Sequence, residues 1–218
     1  TWLPLVVTGL WLVHPLNLTT VLYIVQRMTS LAALFTVCGL LLYVSGRRRM
    51  LAGKHGLSLI LTGLLVCGSL AVFSKENGIL LPLLAIALEG TIVASSRPPL
   101  ARPHRLWTIV ILGLPVLAVA AYLANYVVES GLFTTNLTRG YSIYERLLTQ
   151  PRVLTDYLLH WFFPQPATSG VFQDHVRPST SLLSPPSTLA ALLLHTVALS
   201  AAIMFRRRLP LAAFALLF

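Results

Sequence analysis

The chain has 218 residues, of which 56% are hydrophobic and 10% are charged, and its mean hydropathy is +0.79. Soluble domains of this length are far less apolar, so the composition excludes that class and indicates a membrane protein. The formal net charge of +10 does not indicate a nucleic-acid partner, because the sequence lacks a basic groove with interleaved aromatic residues.

Apolar segments recur along the whole chain, and a bilayer core requires about 20 helical residues. They lie at 2–13, 28–45, 56–73, 78–94, 106–128, 188–205 and 209–218. The first and last are too short to span, and the chain starts without methionine and stops inside an apolar run. We therefore predict an all-α fold, a polytopic transmembrane helical bundle that forms one domain and is truncated at both ends.

Basic residues concentrate in three predicted loops, at 46–55, 95–105 and 206–208. These loops hold ten of the 16 Lys and Arg residues, and positive residues in short loops stay cytoplasmic. Alternation of the spans then places segments 14–27, 74–77 and 129–186 on the outer side, which is the periplasm if the membrane is a bacterial inner membrane. Five of the six acidic residues lie in these outer segments.

Two of the outer segments have patterns typical of interfacial structure. In 14–27, Pro15 favours a helix start, and four apolar residues follow at helical spacing, which predicts an interfacial or re-entrant helix. In 129–186, we predict two short helices, at 144–150 and 151–163, the second with an apolar face. Trp161 and the tyrosines of this region suit the headgroup layer, and a proline- and serine-rich stretch follows the helices.

Between two spans lies Ser74-Lys75-Glu76-Asn77-Gly78, a connection short enough to hold Lys75 and Glu76 close to the membrane surface. Cations at such a surface match a phosphate-bearing lipid, because Arg offers a planar fork and Lys a point charge. The candidates are Arg27, Lys75, Arg146 and Arg152. The alternative is that each side chain extends to the headgroups or pairs with a carboxylate.

The remaining polar residues each have a structural and a functional interpretation. Glu76 either orients Lys75, acts as an acid or base, or caps the following helix. Glu89 lies eleven residues beyond Gly78, about 16 Å along a helix, near the middle of the hydrocarbon. It is an intramembrane polar site or a hydrogen-bonded structural group. His14 fits structural hydrogen bonding or catalysis, and Cys38 and Cys67 indicate packing rather than a disulfide or metal site.

The order of several short motifs resembles a known family. They are His14-Pro15, Tyr23-Ile24-Val25-Gln26-Arg27, Ser74-Lys75-Glu76-Asn77-Gly78 with Leu81-Pro82 and Glu89, Glu145 to Leu154, and Ser184-Pro185-Pro186-Ser187-Thr188. Together they resemble the membrane portion of bacterial proteins related to the transmembrane and tetratricopeptide-repeat O-mannosyltransferases. These belong to the GT-C class of glycosyltransferases, which use polyprenyl-phosphate-linked sugars.

The resemblance implies a GT-C-like membrane enzyme that transfers a sugar from the lipid phosphate to an acceptor protein or glycan on the outer face. Arg27 and Lys75 would bind the phosphate, with Glu76 holding Lys75 in place. The substrate-binding candidates are then Arg27, Lys75, Glu76, Gln26, His14, Arg146 and Arg152. The catalytic carboxylate would precede Thr1, and tetratricopeptide repeats would follow Phe218. No cofactor is indicated, and a divalent-metal requirement stays open.

Two other functions fit the composition. A transporter or flippase would use Glu89 as a coupling site, but it would show Gly/Pro-broken helices in related halves. A non-catalytic membrane anchor for a repeat domain would not gather Arg27, Lys75 and Glu76. An enzyme predicts that Arg27 and Lys75 open into one pocket on the side opposite Arg47–Arg49.

Overall fold

Helices form the regular structure of this chain. The computed structural model describes residues 2–17, 23–95, 102–135, 140–164 and 176–218, with the backbone alone for residues 16, 25 and 102–108. Within these ranges there is no strand, so the predicted all-α class is confirmed for the described part.

Eight helices lie in the described ranges, joined mostly by short connections. They are α1 (Leu3–Leu12), α2 (Arg27–Leu51), α3 (Leu57–Ser74), α4 (Glu76–Val93), α5 (Arg102–Ser130), α6 (Ile143–Phe162), α7 (Ser187–Phe205) and α8 (Pro210–Leu217). Helices α3 and α4 change their hydrogen-bonding pattern along their length. Thr62–Cys67 and Glu89–Val93 are π-helical, and Glu76–Leu80 is a 3₁₀ turn.

Five of these helices are long and apolar enough to cross a membrane: Arg27–Leu51, Leu57–Ser74, Glu76–Val93, Ile109–Ser130 and Ser187–Phe205. They correspond to the five predicted spans of sufficient length. The two short predicted segments form α1, with ten residues, and α8, with eight. The chain is therefore a membrane-embedded helical protein.

Segment 14–27, which we predicted to be an interfacial or re-entrant helix, is described only at its ends. Its described ends form 3₁₀ turns, at Pro15–Asn17 and Ile24–Gln26, and residues 18–22 lie outside the described residues. The 3₁₀ turn at Ile24–Gln26 leads directly into α2, since the backbone N–H of Arg27 donates to the Ile24 carbonyl.

The chain divides into two compact units. Unit 1 comprises Thr1–Arg27 and Tyr126–Thr196, and unit 2 comprises Met28–Asn125 and Val197–Phe218. Unit 1 contains α1 and α6 and the first half of α7. Unit 2 contains α3, α4 and α8 and most of α2 and α5.

The core of unit 2 is apolar and is closed by glycine contacts between helices. The buried cluster is formed by Leu40, Tyr43, Ile60, Leu81, Ala85, Leu88, Val93 and Leu112. A Cβ on Gly46 would lie 2.6 Å from the carbonyl oxygen of Gly56, so only glycine lets α2 and the start of α3 approach this closely. Many side chains on the opposite helix faces are apolar and exposed, as lipid contact requires.

Candidate functional site

Helix α6 of unit 1 is a single helix, where the sequence predicted two. Its start is fixed by a capping box: the Ser142 hydroxyl accepts from the Glu145 backbone N–H, and the Glu145 carboxylate accepts from the Ser142 N–H at 2.8 Å. The helix continues through Pro151 to Phe162. Proline at this position removes one backbone hydrogen bond. The helix nevertheless continues, and the residues on either side of Pro151 make contacts with the rest of unit 1 through Thr149 and Thr155.

The amphipathic character of α6 is inverted relative to a helix on a soluble protein. The side that packs against the rest of unit 1 carries Thr149, Arg152 and Thr155. Its exposed residues include Arg146 and Gln150 near the start of the helix and are apolar from Leu154 onward, where Leu154, Leu158, Trp161 and Phe162 follow helical spacing. An exposed face of this composition, with Trp161 near its end, matches the membrane interface.

Arg152 lies on the side of α6 that packs against the rest of unit 1, where the segment that precedes α7 holds its side chain. Its Nη1 donates to the carbonyl oxygen of Arg177 and to the Ser179 hydroxyl, both at 3.0 Å. Ser179 is fully buried; its N–H donates to the Thr149 hydroxyl, and its own hydroxyl lies 2.8 Å from that of Thr188. Among the described residues, these bonds orient the guanidinium through Nη1 alone, and Nε and Nη2 are the nitrogens that could donate to an anionic ligand.

A cavity of about 390 Å³ opens beside Arg152, between α6 and α7 within unit 1. Its lining combines one cation, one carboxylate and two hydroxyls with apolar side chains: Arg152, Val153, Thr155, Asp156, Leu159, Val176, Ser187, Ala190, Ala191 and Leu194. A polar end beside an apolar wall is the composition that an amphiphilic ligand requires.

His195 of α7 completes the connection to α6, although it was not among the residues selected from the sequence. Its Nε2 lies 3.0 Å from the Pro151 carbonyl oxygen and 3.2 Å from the Thr155 hydroxyl. The Thr155 hydroxyl also donates to the Pro151 carbonyl, at 2.8 Å. A single histidine among the apolar residues of a span indicates a buried hydrogen bond, which is the signal that could have drawn attention to it.

The other predicted site residues of unit 1 lie away from this cavity lining. His14 stacks on Trp161, with ring centroids 4.7 Å apart, and its Nε2 lies 2.9 Å from the Trp161 carbonyl oxygen. This favours its structural interpretation. Arg146 is exposed on α6. Gln26 belongs to the 3₁₀ turn before α2, and its backbone N–H donates to the Tyr23 carbonyl.

Lys75 of unit 2 is half-buried, and its Nζ donates to the Thr29 hydroxyl at 2.7 Å. The prediction that Glu76 holds Lys75 is not what the structure shows, since Glu76 is exposed and makes no ion pair with a described residue. The tight turn is confirmed: Ser74 ends α3, Lys75 is extended, and Gly78 packs directly on the backbone of Ala71.

Thr29 lies in the first turn of α2, whereas Arg47 lies 18 residues later, about 27 Å along the helix. Lys75 and Arg47–Arg49 are therefore at opposite ends of α2, as predicted. Arg27 is the last residue of the first segment of unit 1, and Lys75 belongs to unit 2. Their shared pocket stays a prediction.

The position predicted for Arg47 was wrong. The sequence placed Arg47 in the loop 46–55, but this residue lies within α2, is 2% exposed and forms an ion pair with Glu89. Its Nη2 donates to Glu89 Oε2 at 2.9 Å, and its Nε and the Tyr43 hydroxyl donate to Oε1, the hydroxyl at 2.7 Å. Its Nη1 is buried without a partner among the described residues.

Glu89 pairs with Arg47, which lies four residues before the end of α2. The depth of Glu89 in the bilayer stays a prediction. The α2 helix extends beyond the apolar run because this pair allows Arg47 to be buried. Both carboxylate oxygens of Glu89 are engaged, so it is a poor coupling site for a transporter.

A second depression, an apolar groove of about 320 Å³, lies within unit 2 beside the Lys75 turn. It is lined by Leu61, Leu64, Leu65, Gly68, Ser69, Val72, Phe73, Gly78, Ile79, Pro82, Ile111, Pro115 and Val119. A groove of this composition on membrane-spanning helices accommodates hydrocarbon.

Neither cysteine is paired, and no three His, Cys, Asp or Glu residues gather at metal-binding distance in the part of the chain that the structure describes. The candidate site is thus a cation–cavity arrangement in unit 1, with Lys75 as a second, separate cation in unit 2. Comparison with known proteins finds no match to this chain among family models, curated proteins or solved structures.

Proposed function

We propose that this protein is a GT-C-like membrane glycosyltransferase that takes a sugar from a polyprenyl-phosphate-linked donor and transfers it to an acceptor on the outer face. The observation that carries the proposal is the cavity of unit 1, where an oriented guanidinium lies beside an apolar wall. A prenyl phosphate has the same two parts, an anionic head and a hydrocarbon chain.

The environment of Arg152 favours a phosphate over a neutral ligand. One nitrogen of the guanidinium is fixed by Arg177 and Ser179, and the two others present their N–H groups in one plane. This geometry suits phosphate oxygens, and Lys could not reproduce it. The Thr155 and Ser187 hydroxyls in the same lining are suitable donors to a sugar or a phosphate ester.

The inverted face of α6 supports a location of this cavity at the membrane interface. The exposed apolar side of the helix, with Leu154, Leu158 and Phe162, would lie among lipid, while Arg152 lies on its opposite side. A lipid whose chain remains in the bilayer would then bring its phosphate to Arg152 without leaving the membrane.

Binding of farnesyl phosphate to the purified protein in detergent tests the phosphate part of the proposal. Loss of charge-assisted hydrogen bonds in Arg152→Gln should weaken this binding roughly 10- to 100-fold. Farnesol, which lacks the phosphate, should bind weakly to both proteins. Arg146→Gln is the matched control, because it removes the same charge from the same helix outside the cavity lining. Equal binding by Arg152→Gln and the unmodified protein would refute the assignment.

Sugar transfer is tested in membranes that contain the full-length protein and a radiolabelled lipid-linked sugar. We expect Arg152→Gln and Lys75→Ala to abolish labelling of an outer-face acceptor while expression remains normal. Full labelling by Arg152→Gln would remove Arg152 from the donor site, and full labelling by Lys75→Ala would show that Lys75 has no role in the transfer. If phosphate binding is lost in Arg152→Gln but no variant affects transfer, the protein binds a phospholipid without being this enzyme.

A further inference from the structure

The end of unit 2 that carries Arg47 has a cluster of exposed cations that the proposed function does not use. Arg48 and Arg49 lie in the last turn of α2 and are exposed, whereas Arg47 on the same turn is directed inward to Glu89. Successive residues of a helix are about 100° apart, so burial of Arg47 leaves its two neighbours on the outside.

Lys54 is held next to this turn. Its backbone N–H donates to the Arg49 carbonyl at 2.9 Å, and the Gly53 N–H donates to the Met50 carbonyl at 3.1 Å. These bonds fold the chain back over the end of α2, where Lys54 is exposed. Cations at a helix C-terminus also compensate the partial negative charge of its free carbonyls, so their presence here is locally favourable.

Arg206, Arg207 and Arg208 add a second group at the same end. All three are exposed in the turn between α7 and α8. Helix α8 packs mainly against Glu89–Val93, the segment that Arg47 binds, and Phe214 contacts the buried core cluster. The three arginines precede this helix by at most four residues, which places them at the end of unit 2 that carries the Arg47–Glu89 pair.

No described carboxylate of unit 2 compensates these six cations. The unit has Glu76 and Glu89: Glu76 follows Lys75 at the opposite end of α4, and Glu89 is engaged by Arg47. Apolar side chains lie exposed directly beside the cations, including Met204, Leu209 and Leu211. An uncompensated cationic surface at the boundary of lipid-exposed helices matches anionic headgroups rather than a soluble polyanion.

We propose that Arg48, Arg49, Lys54 and Arg206–Arg208 form a binding site for the phosphodiester headgroups of an anionic phospholipid. Arg47 is excluded from the site because Glu89 neutralises it and it is buried. The two groups approach the headgroup layer from two different chain segments, so anionic lipid would bridge the end of α2 and the α7–α8 turn. The proposal is independent of glycosyl transfer, since it concerns the opposite end of α2 from Lys75.

The test measures binding of the purified chain to nanodiscs of phosphatidylcholine with and without phosphatidylglycerol, and the phospholipid that remains bound in native mass spectrometry. Each removed cation should weaken the preference for phosphatidylglycerol about fivefold, so the double variant Arg48→Gln/Arg49→Gln should lose about 25-fold. The single variants Arg49→Gln and Arg146→Gln form a matched pair, because Arg146 is also an exposed arginine but belongs to unit 1 and lies outside its cavity lining. Only the former should have an effect.

Salt gives a measurement that requires no variant. The phosphatidylglycerol preference of the unmodified chain should fall steeply between low salt and 1 M salt, where the Debye length shortens to about 3 Å. A preference that is insensitive to salt, or retained in Arg48→Gln/Arg49→Gln, would overturn the proposal. So would binding of inorganic phosphate in lipid-free micelles with equal affinity and equal sensitivity to these substitutions, because that result indicates a soluble anion.

Discussion

Substitution of Glu89 by alanine should strongly destabilise unit 2. The change leaves Arg47, which is 2% exposed, as an unpaired buried charge and removes the acceptor of the Tyr43 hydroxyl. Removal of one partner from a buried ion pair costs about 3–5 kcal/mol. Because folded proteins are stable by about 5–15 kcal/mol, this loss is a large share of the total.

The double variant Arg47→Met/Glu89→Leu separates the pair itself from the penalty of breaking it. Replacement of both charged groups by apolar ones of similar size removes the desolvation cost, including that of the unpartnered Nη1 of Arg47. Such replacements are often neutral or stabilising. We therefore expect the double variant to be more stable than Glu89→Ala by at least about 2 kcal/mol.

Reversible unfolding in bicelles, followed by circular dichroism as dodecyl sulfate is added, measures these differences. Glu76→Gln is the control, because Glu76 is exposed on the same helix and its substitution should change the unfolding free energy by about 0.5 kcal/mol or less. A loss below about 1 kcal/mol in Glu89→Ala, or a double variant less stable than Glu89→Ala, would refute the description of this pair as buried and coupled.

Two further substitutions test the packing that holds each unit together. Gly46→Ala should destabilise unit 2 by about 1–3 kcal/mol, because its Cβ would lie 2.6 Å from the Gly56 carbonyl oxygen. Gly113→Ala, where nothing lies within 4 Å of the added Cβ, should be neutral or stabilising in the same assay, and equal losses in the two variants would contradict this account. Ser179→Ala should cost unit 1 about 1–3 kcal/mol, because it removes the partner of Arg152 and of the buried Thr188 hydroxyl. Unchanged stability together with unchanged farnesyl phosphate binding would show that Ser179 does not orient Arg152.

The spans were predictable because their signal is local. A run of apolar residues long enough for a bilayer determines a helix without reference to the rest of the chain. The bounds of four long spans were predicted within three residues, whereas α2 continues six residues past its predicted end. The same argument fails at their ends. The sequence alone assigns Arg47 to a loop, since a charged residue inside a membrane helix is costly unless it has a partner. That partner, Glu89, is 42 residues away in the chain.

The prediction that one helix ends and another begins at Pro151 was wrong for a related reason. Proline usually ends a helix or begins one, and the sequence on both sides fits either a break or a continuous helix. The structure continues the helix, and the Pro151 carbonyl accepts bonds from Thr155 and from His195, which is 44 residues away. Local pattern therefore predicted that both segments are helical, while the contacts that join them are long-range.

The candidate site was likewise predictable only in part from the sequence. Arg152 was selected from the sequence for its charge and its position on an interfacial helix, and it does line a cavity. The residues that orient it, Ser179 and Thr149, carry no charge and have no characteristic spacing, so only the folded arrangement identifies them. Arg146 was selected from the sequence on the same grounds as Arg152, but Arg146 is exposed and lies outside the cavity lining. The two arginines occupy different sides of α6. In lipid, the polar side of an interfacial helix turns toward the protein. Arg152 lies on that side and is therefore available to a ligand held between α6 and α7.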